Sequence, residues 1–514
     1  MTTNAARVLA EVAAAQTRLA QIDKPTRLLD VRLAGIDQPV SLKMELESVI
    51  RSYKWRGAGN AMMYNAGQGD MRTVVTASAG NHAQGVARVA RTLGVHANIY
   101  MPVSTPQMKQ DAVREFGGDN VTIYLVGDTY NQAADAAHEM ADGRSDKYVY
   151  VPAFDNLHTI AGQATMGAEI VNSGQGPYDV AFLQIGGGGM AAGVSAVLRD
   201  AYPNMKIIGV EGVDQACMKA AFDAGRLVTL PRVDGFCDGT AVTQAGEVCF
   251  DVCRETLDGI MTVTNGDIHG AMEEMYRLTR TVPEPSGAMG LAGLLKWKGM
   301  HPDEARGARM LTVISGANMD FNKLSLLFNT AADSTQNRRH LRLAIGEEKG
   351  SLLDLANTCF RDVDIKGFHY GKIDQVNAWP VIAFDADDAK MRQIAACLKD
   401  NDVSYEDVTG AVDAGRVHYD ARLFSNPLML EVEFPERKGA LREFMRVVQP
   451  HANMCYFDYR YAGDMQSRAL MGFEFPSSER HSSFMDAVRE APVTVRPLDP
   501  QASARMLYVS RGPV

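Results

Sequence analysis

Between about residue 40 and residue 320, apolar runs rich in β-branched residues alternate with segments of helical periodicity. The runs are VSLKME, TVVTAS, HANIYMP, VTIYLV, YVYVP, DVAFLQI, KIIGVE, GIMTV and MLTVIS. Strands that alternate with helices predict an α/β fold in which a parallel sheet is covered by helices. Ligands bind beyond the carboxyl ends of such strands, so we expect the functional site at the turns in TASAGNH, QIGGGG and ISGANM.

Beyond about residue 335 the sequence repeats itself. The strings EEKGSL, FHYG and AFD recur as ERKGAL, FDYR and GFE, and each copy lies 89 positions later (439 − 350, 457 − 368 and 473 − 384). Each copy has the pattern strand, glycine-initiated helix, strand, strand, which is a ferredoxin-like order. We therefore predict one domain over residues 1–330 and two α+β modules over 331–422 and 423–514. Chance likeness between two short modules is the alternative.

Charge and targeting signals disfavour several classes of function. Asp and Glu outnumber Lys and Arg by 62 to 52, and the resulting net charge of −10 disfavours nucleic acid as a partner. The amino-terminal segment mixes Glu and Arg into its alanines, which predicts a surface helix and not a signal peptide. The apolar stretch 180–198 contains four consecutive glycines, which are incompatible with a membrane-spanning helix.

The cysteines predict a reduced protein of the cytoplasm. The seven cysteines form no CxxC pair, and their odd number fits free thiols better than a disulfide framework. Cys249 and Cys253 are spaced to share one face of a helix, which is typical of core packing. We expect no metal site.

The segment SYKWRGAGNAMM places Lys54 at the start of an amphipathic helix crowded with small residues. A lysine whose amine is desolvated between Tyr53 and Trp55 has a lowered pKa and is suited to Schiff-base chemistry. An ordinary surface lysine beside an aromatic pair fits the same residues, so this motif alone does not decide.

The segment TASAGNHAQGVA turns from a strand into a helix through Gly80. Backbone N–H groups at that helix start, with Ser78 as a further donor, are suited to a carboxylate. Asn81 offers a neutral hydrogen bond for a phenolic oxygen. A plain helix cap by Ser or Asn is the alternative, and a lone histidine such as His82 is more often structural than catalytic.

The segment QIGGGGMAAG is the strongest single signal. Four successive glycines have a high entropic cost, and their use is to let several amides converge on a phosphate. A merely flexible turn is one alternative. A dinucleotide site is another, because Gly187, Gly189 and Ala192 fit GxGxxA after a strand and Glu211 ends the next strand.

Two further segments, EPSGAMGLAG from Glu284 and ISGANMD from Ile314, place polar groups where a strand or helix ends. Ser315 is positioned to hydrogen-bond a ring nitrogen. Each of these two segments is a weak signal by itself.

Together and in this order, the motifs resemble those of fold type II pyridoxal phosphate (PLP) enzymes, whose two-lobed catalytic domain is like the tryptophan synthase β subunit. They resemble the threonine dehydratase (threonine ammonia-lyase) family in particular, and the duplicated unit resembles its tandem ACT-like regulatory domain. The resemblance implies that Lys54 holds PLP as a Schiff base. It implies cofactor contacts from Tyr53, Asn81, Gly186, Gly187, Gly188, Gly189, Met190 and Ser315. It implies that the substrate carboxylate is bound by Ser78, Ala79, Gly80 and His82.

The resemblance implies conversion of L-threonine to 2-oxobutanoate and ammonia, with L-serine as a second substrate. Lys54 would remove the Cα proton, and PLP would store the electrons. The implied effector is isoleucine, with valine as an opposing one, bound near the Gly350 and Gly439 turns of a homotetramer. Another β-eliminating ammonia-lyase of this fold, an NAD-dependent dehydrogenase and an inactive amino-acid sensor remain alternatives.

Some residues depart from related patterns. The similar serine racemases carry a serine at the position of Ala79, which cannot move a proton, and this difference favours elimination over racemisation. A KRED-like segment is replaced by KMEL from Lys43, and a TPL segment by KPTRLL, and these departures bear on the choice of substrate. The cation site of the racemases would lie near Glu211, but Cys217 stands where a second acid is needed.

Overall fold

The computed structural model describes residues 3–69, 73–320, 338–346, 351–363, 365–372, 377–409, 419–435, 440–460, 466–489, 491, 493–499, 501 and 503. The chain divides into two compact units, Met1–Ala331 and Ala332–Val514. In the described residues, the first unit contains a six-stranded and a four-stranded sheet, and the second contains a nine-stranded sheet.

The strands of the first unit are β1 Leu28–Val31, β2 Val40–Met44, β3 Thr73–Ala77, β4 Ala97–Met101, β5 Val121–Leu125, β6 Tyr148–Tyr150, β7 Val180–Gln184, β8 Lys206–Gly212, β9 Gly259–Val263 and β10 Met310–Ile314. The larger sheet has the order β1-β2-β10-β7-β8-β9 and the smaller β5-β4-β3-β6. All pairs are parallel except β1 with β2. The nine predicted strands are β2 to β10, and β1 is an edge strand that the sequence did not predict.

Helices separate most of these strands and cover both sheets. They are α1 Asn4–Leu19, α2 Lys54–Gly67, α3 Asn81–Leu93, α4 Gln107–Gly117, α5 Tyr130–Gly143, α6 Leu157–Asn172, α7 Gly189–Ala201, α8 Cys217–Ala224, α9 Glu247–Thr256, α10 Asn265–Thr279, α11 Pro285–Met300 and α12 Pro302–Gly307. The predicted amino-terminal helix is α1, which buries one face against α6.

Helix α2 is buried on all sides over Trp55–Met62, so the expectation of an amphipathic helix was wrong. It packs against α1, α3 and α6. Its small residues permit this close packing, because a Cβ added at Gly57 would lie 2.2 Å from Gln163 of α6. The same holds at Gly59, where an added Cβ would lie 2.7 Å from Ile22.

A cluster of four charged side chains joins the start of α2 to β2 and α6. Arg56 pairs with Glu45 at 2.9 Å and with Glu169 at 2.6 Å, and Lys43 contacts both carboxylates. Because Lys43 and Glu45 are fully buried and paired, the cluster satisfies charges that are otherwise costly to bury. The unusual KMEL and KPTRLL segments meet here, through a hydrogen bond from Thr26 to Glu45.

The second unit contains two βαββαβ halves. Their elements are β11 Arg338–Gly346, α13 Ser351–Thr358, β12 Ile365–Gly371, β13 Asn377–Ala378, β14 Val381–Asp385, α14 Asp388–Asp400, β15 Ser404–Asp407, β16 Leu428–Pro435, α15 Ala440–Val448, β17 Asn453–Arg460, β18 Gln466–Glu474, α16 Arg480–Val488 and β19 Thr494–Pro497. Both halves have the predicted ferredoxin-like order, followed by a second helix and a fourth strand. The five strands of the first half, which include the two-residue β13, and the four strands of the second half join edge to edge where β12 pairs with β17. Gly350 and Gly439 lie outside the described residues.

One disulfide corrects the prediction that the thiols are free. Cys359 and Cys397 are bonded, with their Cα atoms 5.4 Å apart. They are 38 positions apart in the sequence and meet because the end of α13 lies beside α14. A cysteine count cannot reveal such a pair. The other five cysteines are buried and are not part of a disulfide.

The apolar stretch 180–198 forms β7, a glycine turn and most of α7. Across the part of the chain that the structure describes, no helix is both long and apolar enough to cross a membrane.

Candidate active site

One cavity of about 290 Å³ lies at the carboxyl ends of β3, β7 and β10. The three turns selected from the sequence therefore meet at one place. All of the candidate site residues line it: Tyr53, Lys54, Ser78, Ala79, Gly80, Asn81, His82, Gly186, Gly187, Gly188, Gly189, Met190 and Ser315. A backbone hydrogen bond joins the start of α2 to the end of β10, because the N–H of Tyr53 donates to the carbonyl of Ser315 at 3.1 Å.

Lys54 is the first residue of α2, and its Nζ donates to the carbonyl of Ala153 at 3.1 Å. Burial lowers the pKa of Lys54 to about 8, although nearby Cys249 and Glu284 oppose the shift. The amine lies 5.4 Å from the centre of the Tyr53 ring. Trp55 does not cover the amine as expected, because its side chain is buried in the core of the four-stranded lobe.

The glycine loop is tightly packed, which the sequence argument did not anticipate. An added Cβ at Gly187 would lie 2.5 Å from the Phe154 ring, and one at Gly186 would lie 2.9 Å from the Cα of Thr240. Gly188 has a φ of +101° and directly precedes α7. The loop therefore requires glycine for both space and conformation, and a merely flexible turn is excluded. It ends at a helix amino terminus, where free N–H groups favour an anion.

At the start of α3, no side chain caps the helix, so the plain-cap alternative is wrong. The hydroxyl of Ser78 instead accepts from the N–H of Gly80 at 3.2 Å. His82 is buried and lies 3.1 Å from the carbonyl of Val151 through Nε2. Burial, together with nearby Lys54, lowers the pKa of His82 to about 3, so its ring is neutral at physiological pH.

Asn81 belongs to a partly buried network that the sequence did not reveal. Its Nδ2 donates to Glu284 at 2.8 Å, and its Oδ1 accepts from Asn318 at 2.7 Å. The other carboxylate oxygen of Glu284 accepts from the N–H of Asn318 at 3.1 Å. Burial, and next the nearby Asp238, raise the pKa of Glu284 to about 7. Glu284 is the first residue of the EPSGAMG segment. The sequence therefore marked this segment but did not identify Asn81 as its partner.

Further lining residues were also missed. Phe154 and Thr240 line the cavity on either side of the glycine loop. Lys109 of α4 forms an ion pair with Asp238 at 2.6 Å, and both side chains line the same cavity. The KMEL and KPTRLL residues are absent from the described lining, so they make no direct contact with a substrate in this cavity.

Glu211, the acid of the dinucleotide alternative, is fully buried and does not line the cavity. Its carboxylate accepts from the N–H groups of Met218 at 2.9 Å and Lys219 at 2.8 Å, at the start of α8. Burial raises the pKa of Glu211 to about 7. A carboxylate engaged in this way is not placed for a ribose, which disfavours the dehydrogenase alternative.

Comparison with known proteins identifies the family of the chain. The family of pyridoxal-phosphate dependent enzymes matches residues 19–316, and the C-terminal regulatory domain of threonine dehydratase matches residues 423–507. A biosynthetic L-threonine dehydratase of Burkholderia multivorans is 35% identical over 467 residues, which cover 90% of each chain. That of Escherichia coli is 35% identical over 463 residues, or 88% of each chain.

Among solved structures, the processed form of threonine deaminase isoform 2 from Solanum lycopersicum superposes with a TM-score of 0.58 at 35% identity. The match covers 63% of this chain and 88% of that chain. The predicted fold, a fold type II PLP catalytic unit followed by an α+β regulatory unit, is confirmed. The chain belongs to the biosynthetic threonine dehydratases, a family of pyridoxal-phosphate dependent enzymes with a C-terminal regulatory domain.

Proposed function

We propose that this chain converts L-threonine to 2-oxobutanoate and ammonia, with L-serine as a second substrate, using PLP held in the cavity at Lys54. One observation carries the proposal. A desolvated lysine, a glycine loop at a helix amino terminus and neutral hydrogen-bonding side chains line one cavity of about 290 Å³. That volume is close to the lower end of the range typical of small-molecule sites.

The lining residues fit PLP. Gly186 to Met190 would hold the phosphate, because their amides lie at or before the start of α7. Asn81 would contact the phenolic oxygen, Ser315 the ring nitrogen and Tyr53 a face of the ring. When bound, the cofactor supplies the electron sink for the charge left by loss of the Cα proton.

Lys54 would take that proton. With a pKa of about 8, about a tenth of the amine is neutral at pH 7, whereas an ordinary lysine is almost entirely protonated. Ser78 to His82 would receive the substrate carboxylate. His82 is neutral and buried, so it would orient the substrate and not donate a proton. Ala79 carries no acid or base, which supports elimination over racemisation.

We further propose that residues 331–422 and 423–514 form two regulatory modules that respond to isoleucine, with valine as an opposing effector. The matched regulatory domain supports an amino-acid effector. We propose a homotetramer, to be tested by light scattering of the purified enzyme. We also propose a cytoplasmic location, supported by the five buried cysteines that are not part of a disulfide and to be tested by cell fractionation.

The deciding experiment measures 2-oxo acid release by the PLP-loaded enzyme from L-threonine, L-serine and other β-hydroxy amino acids. We expect the highest kcat/KM with threonine. A higher value for another substrate would make the chain a different ammonia-lyase of this fold. No 2-oxo acid from any substrate, in a protein that still binds isoleucine, would favour the inactive sensor.

A further inference from the structure

Glu284 is a buried acid in the cavity wall that has no role in the proposed reaction. It is the residue before α11, it lines the cavity, and only 5% of its surface is exposed. Its Oε1 accepts from the Nδ2 of Asn81 at 2.8 Å, and its Oε2 accepts from the N–H of Asn318 at 3.1 Å. A side-chain amide would offer an acceptor at only one of these two positions. The two donors therefore specify an acid here.

The side-chain amide of Asn318 is held by two acceptors. Its Nδ2 donates to the carbonyl of Ile50 at 2.8 Å and to the Oδ1 of Asn81 at 2.7 Å. An amide nitrogen carries two hydrogens, so both are used. Because the Ile50 carbonyl belongs to the backbone, it fixes the orientation of the Asn318 amide. Asn318 consequently presents a donor, and not an acceptor, to Asn81.

These contacts determine which way the Asn81 amide faces. Its oxygen meets a donor on Asn318, and its nitrogen meets an acceptor on Glu284. A rotated amide would lose both hydrogen bonds and would place like groups against each other. The second N–H of Asn81 has no partner among the described contacts, and Asn81 lines the cavity. One hydrogen-bond donor is thus left for a ligand.

We infer that Glu284 and Asn318 are positioning residues that hold the remaining N–H of Asn81 toward the phenolic oxygen of PLP. A donor at this oxygen stabilises its negative charge, whereas the amide oxygen of Asn81 would repel it. The inference rests on the proposed binding of PLP in this cavity. It adds two residues that act on the cofactor through a third.

A direct effect of charge is the competing explanation for any change at Glu284. Burial lowers the pKa of Lys54, and nearby Cys249 and Glu284 partly oppose this shift. Replacing the acid therefore changes the charge near the amine as well as the orientation of Asn81. Asn318 is neutral, so its replacement changes the orientation without removing a charge. An effect that acts through Asn81 must also vanish when Asn81 itself is replaced, whereas an effect of charge must persist.

The test measures PLP affinity by fluorescence titration of the apoenzyme and the visible absorption band of the loaded enzyme. In Glu284→Gln and in Asn318→Ala, PLP should bind about tenfold more weakly, which corresponds to the loss of about one hydrogen bond. The visible band of the lysine-bound cofactor should lose intensity, because the ionised phenolic oxygen has lost its donor. In the Asn81→Ala background, neither second substitution should change the affinity or the spectrum further.

Glu211→Gln is the matched control. Glu211 is likewise a buried carboxylate that accepts from two N–H groups, but it does not line the cavity and has no described contact with Asn81. Its replacement should leave the visible band unchanged. An equal loss of intensity in Glu211→Gln and Glu284→Gln would show that any buried acid of this unit has the effect, which would count against the inference.

Equal effects of Glu284→Gln with and without Asn81→Ala would overturn the inference, as would unchanged affinity and spectrum in either Glu284→Gln or Asn318→Ala. If Glu284→Gln does not fold, Asn318→Ala alone, with and without Asn81→Ala, provides the same test. An unaltered enzyme that forms no visible band with PLP overturns the proposed function instead. An unaltered enzyme that forms the band, with variants that match it, overturns this inference alone.

Discussion

Replacing Gly188 by alanine is the most direct test of the phosphate loop. An added Cβ would lie 2.6 Å from the Met218 methyl group and 2.8 Å from the Cβ of Cys249. The Met218 side chain can rotate away, but the Cys249 Cβ is fixed to the backbone of α9. Since Gly188 also has a φ of +101°, the substitution adds backbone strain of about 1–2 kcal/mol and overpacking of about 1–3 kcal/mol.

Relief of this clash requires the loop to move, and the amides at the start of α7 move with it. Each hydrogen bond to a charged group contributes about 1.5–3 kcal/mol. The loss of one such bond to the phosphate therefore weakens PLP binding about tenfold to a hundredfold. The assay is fluorescence titration of the apoenzyme with PLP, alongside chemical unfolding of the same apoenzyme.

Gly225 provides the matched control. It also has a positive φ, of +65°, but an added Cβ would meet no atom within 4 Å. Gly225→Ala should therefore lose about 1 kcal/mol of unfolding free energy and retain PLP affinity. If the PLP dissociation constants of Gly188→Ala and Gly225→Ala are equal, the reasoning about the loop is refuted.

Three further predictions concern single side chains. Lys54→Ala should lose the visible absorption band of the lysine-bound cofactor and lower kcat by about a thousandfold or more, while its circular dichroism stays near native. Full turnover of this variant would contradict the role of Lys54. Ala79→Ser should release some D-serine from L-serine, measured by chiral chromatography, and complete absence would weaken the argument from Ala79. Burial raises the pKa of Glu211 from 4.5 to about 7, so the folded state binds the proton more tightly and stability falls as pH rises from about 4.5 to 7. In Glu211→Gln, the free energy of unfolding measured with denaturant should fall by about 3 kcal/mol less over this pH range than in the unaltered enzyme. An equal fall in both proteins would contradict the prediction.

The catalytic fold was predictable because its central strands are buried on both faces. Strands such as β7, VAFLQ, and β10, MLTVI, are therefore nearly continuous apolar runs that stand out from helices. The turns that follow them carry the polar and glycine residues of the site. Because ligands bind beyond the carboxyl ends of strands in a parallel sheet, these turns could be predicted to meet without any tertiary information.

Contacts between distant residues were not predictable. Asn81 and Glu284 are 203 positions apart, and nothing in either segment specifies the other as its partner. Cys359 and Cys397 likewise pair only because α13 and α14 lie side by side. Local propensity and periodicity describe single elements, whereas these partners depend on how the elements pack. A buried polar group needs a partner, but the sequence does not say which.

The cations at Lys54 and Arg56 show how packing sets the chemistry of the site. Two positions along a helix are about 200° apart, so one side chain faces the cavity and the other faces the charge cluster. Two carboxylates bond Arg56 directly, and they raise its pKa against the effect of burial. Lys54 has no such bond among the described contacts, and its acidic neighbour Glu284 has a pKa raised to about 7. Burial therefore sets the direction of the pKa shift at Lys54 but not at Arg56. The helix has a permanent cation on one side and a titratable base on the other.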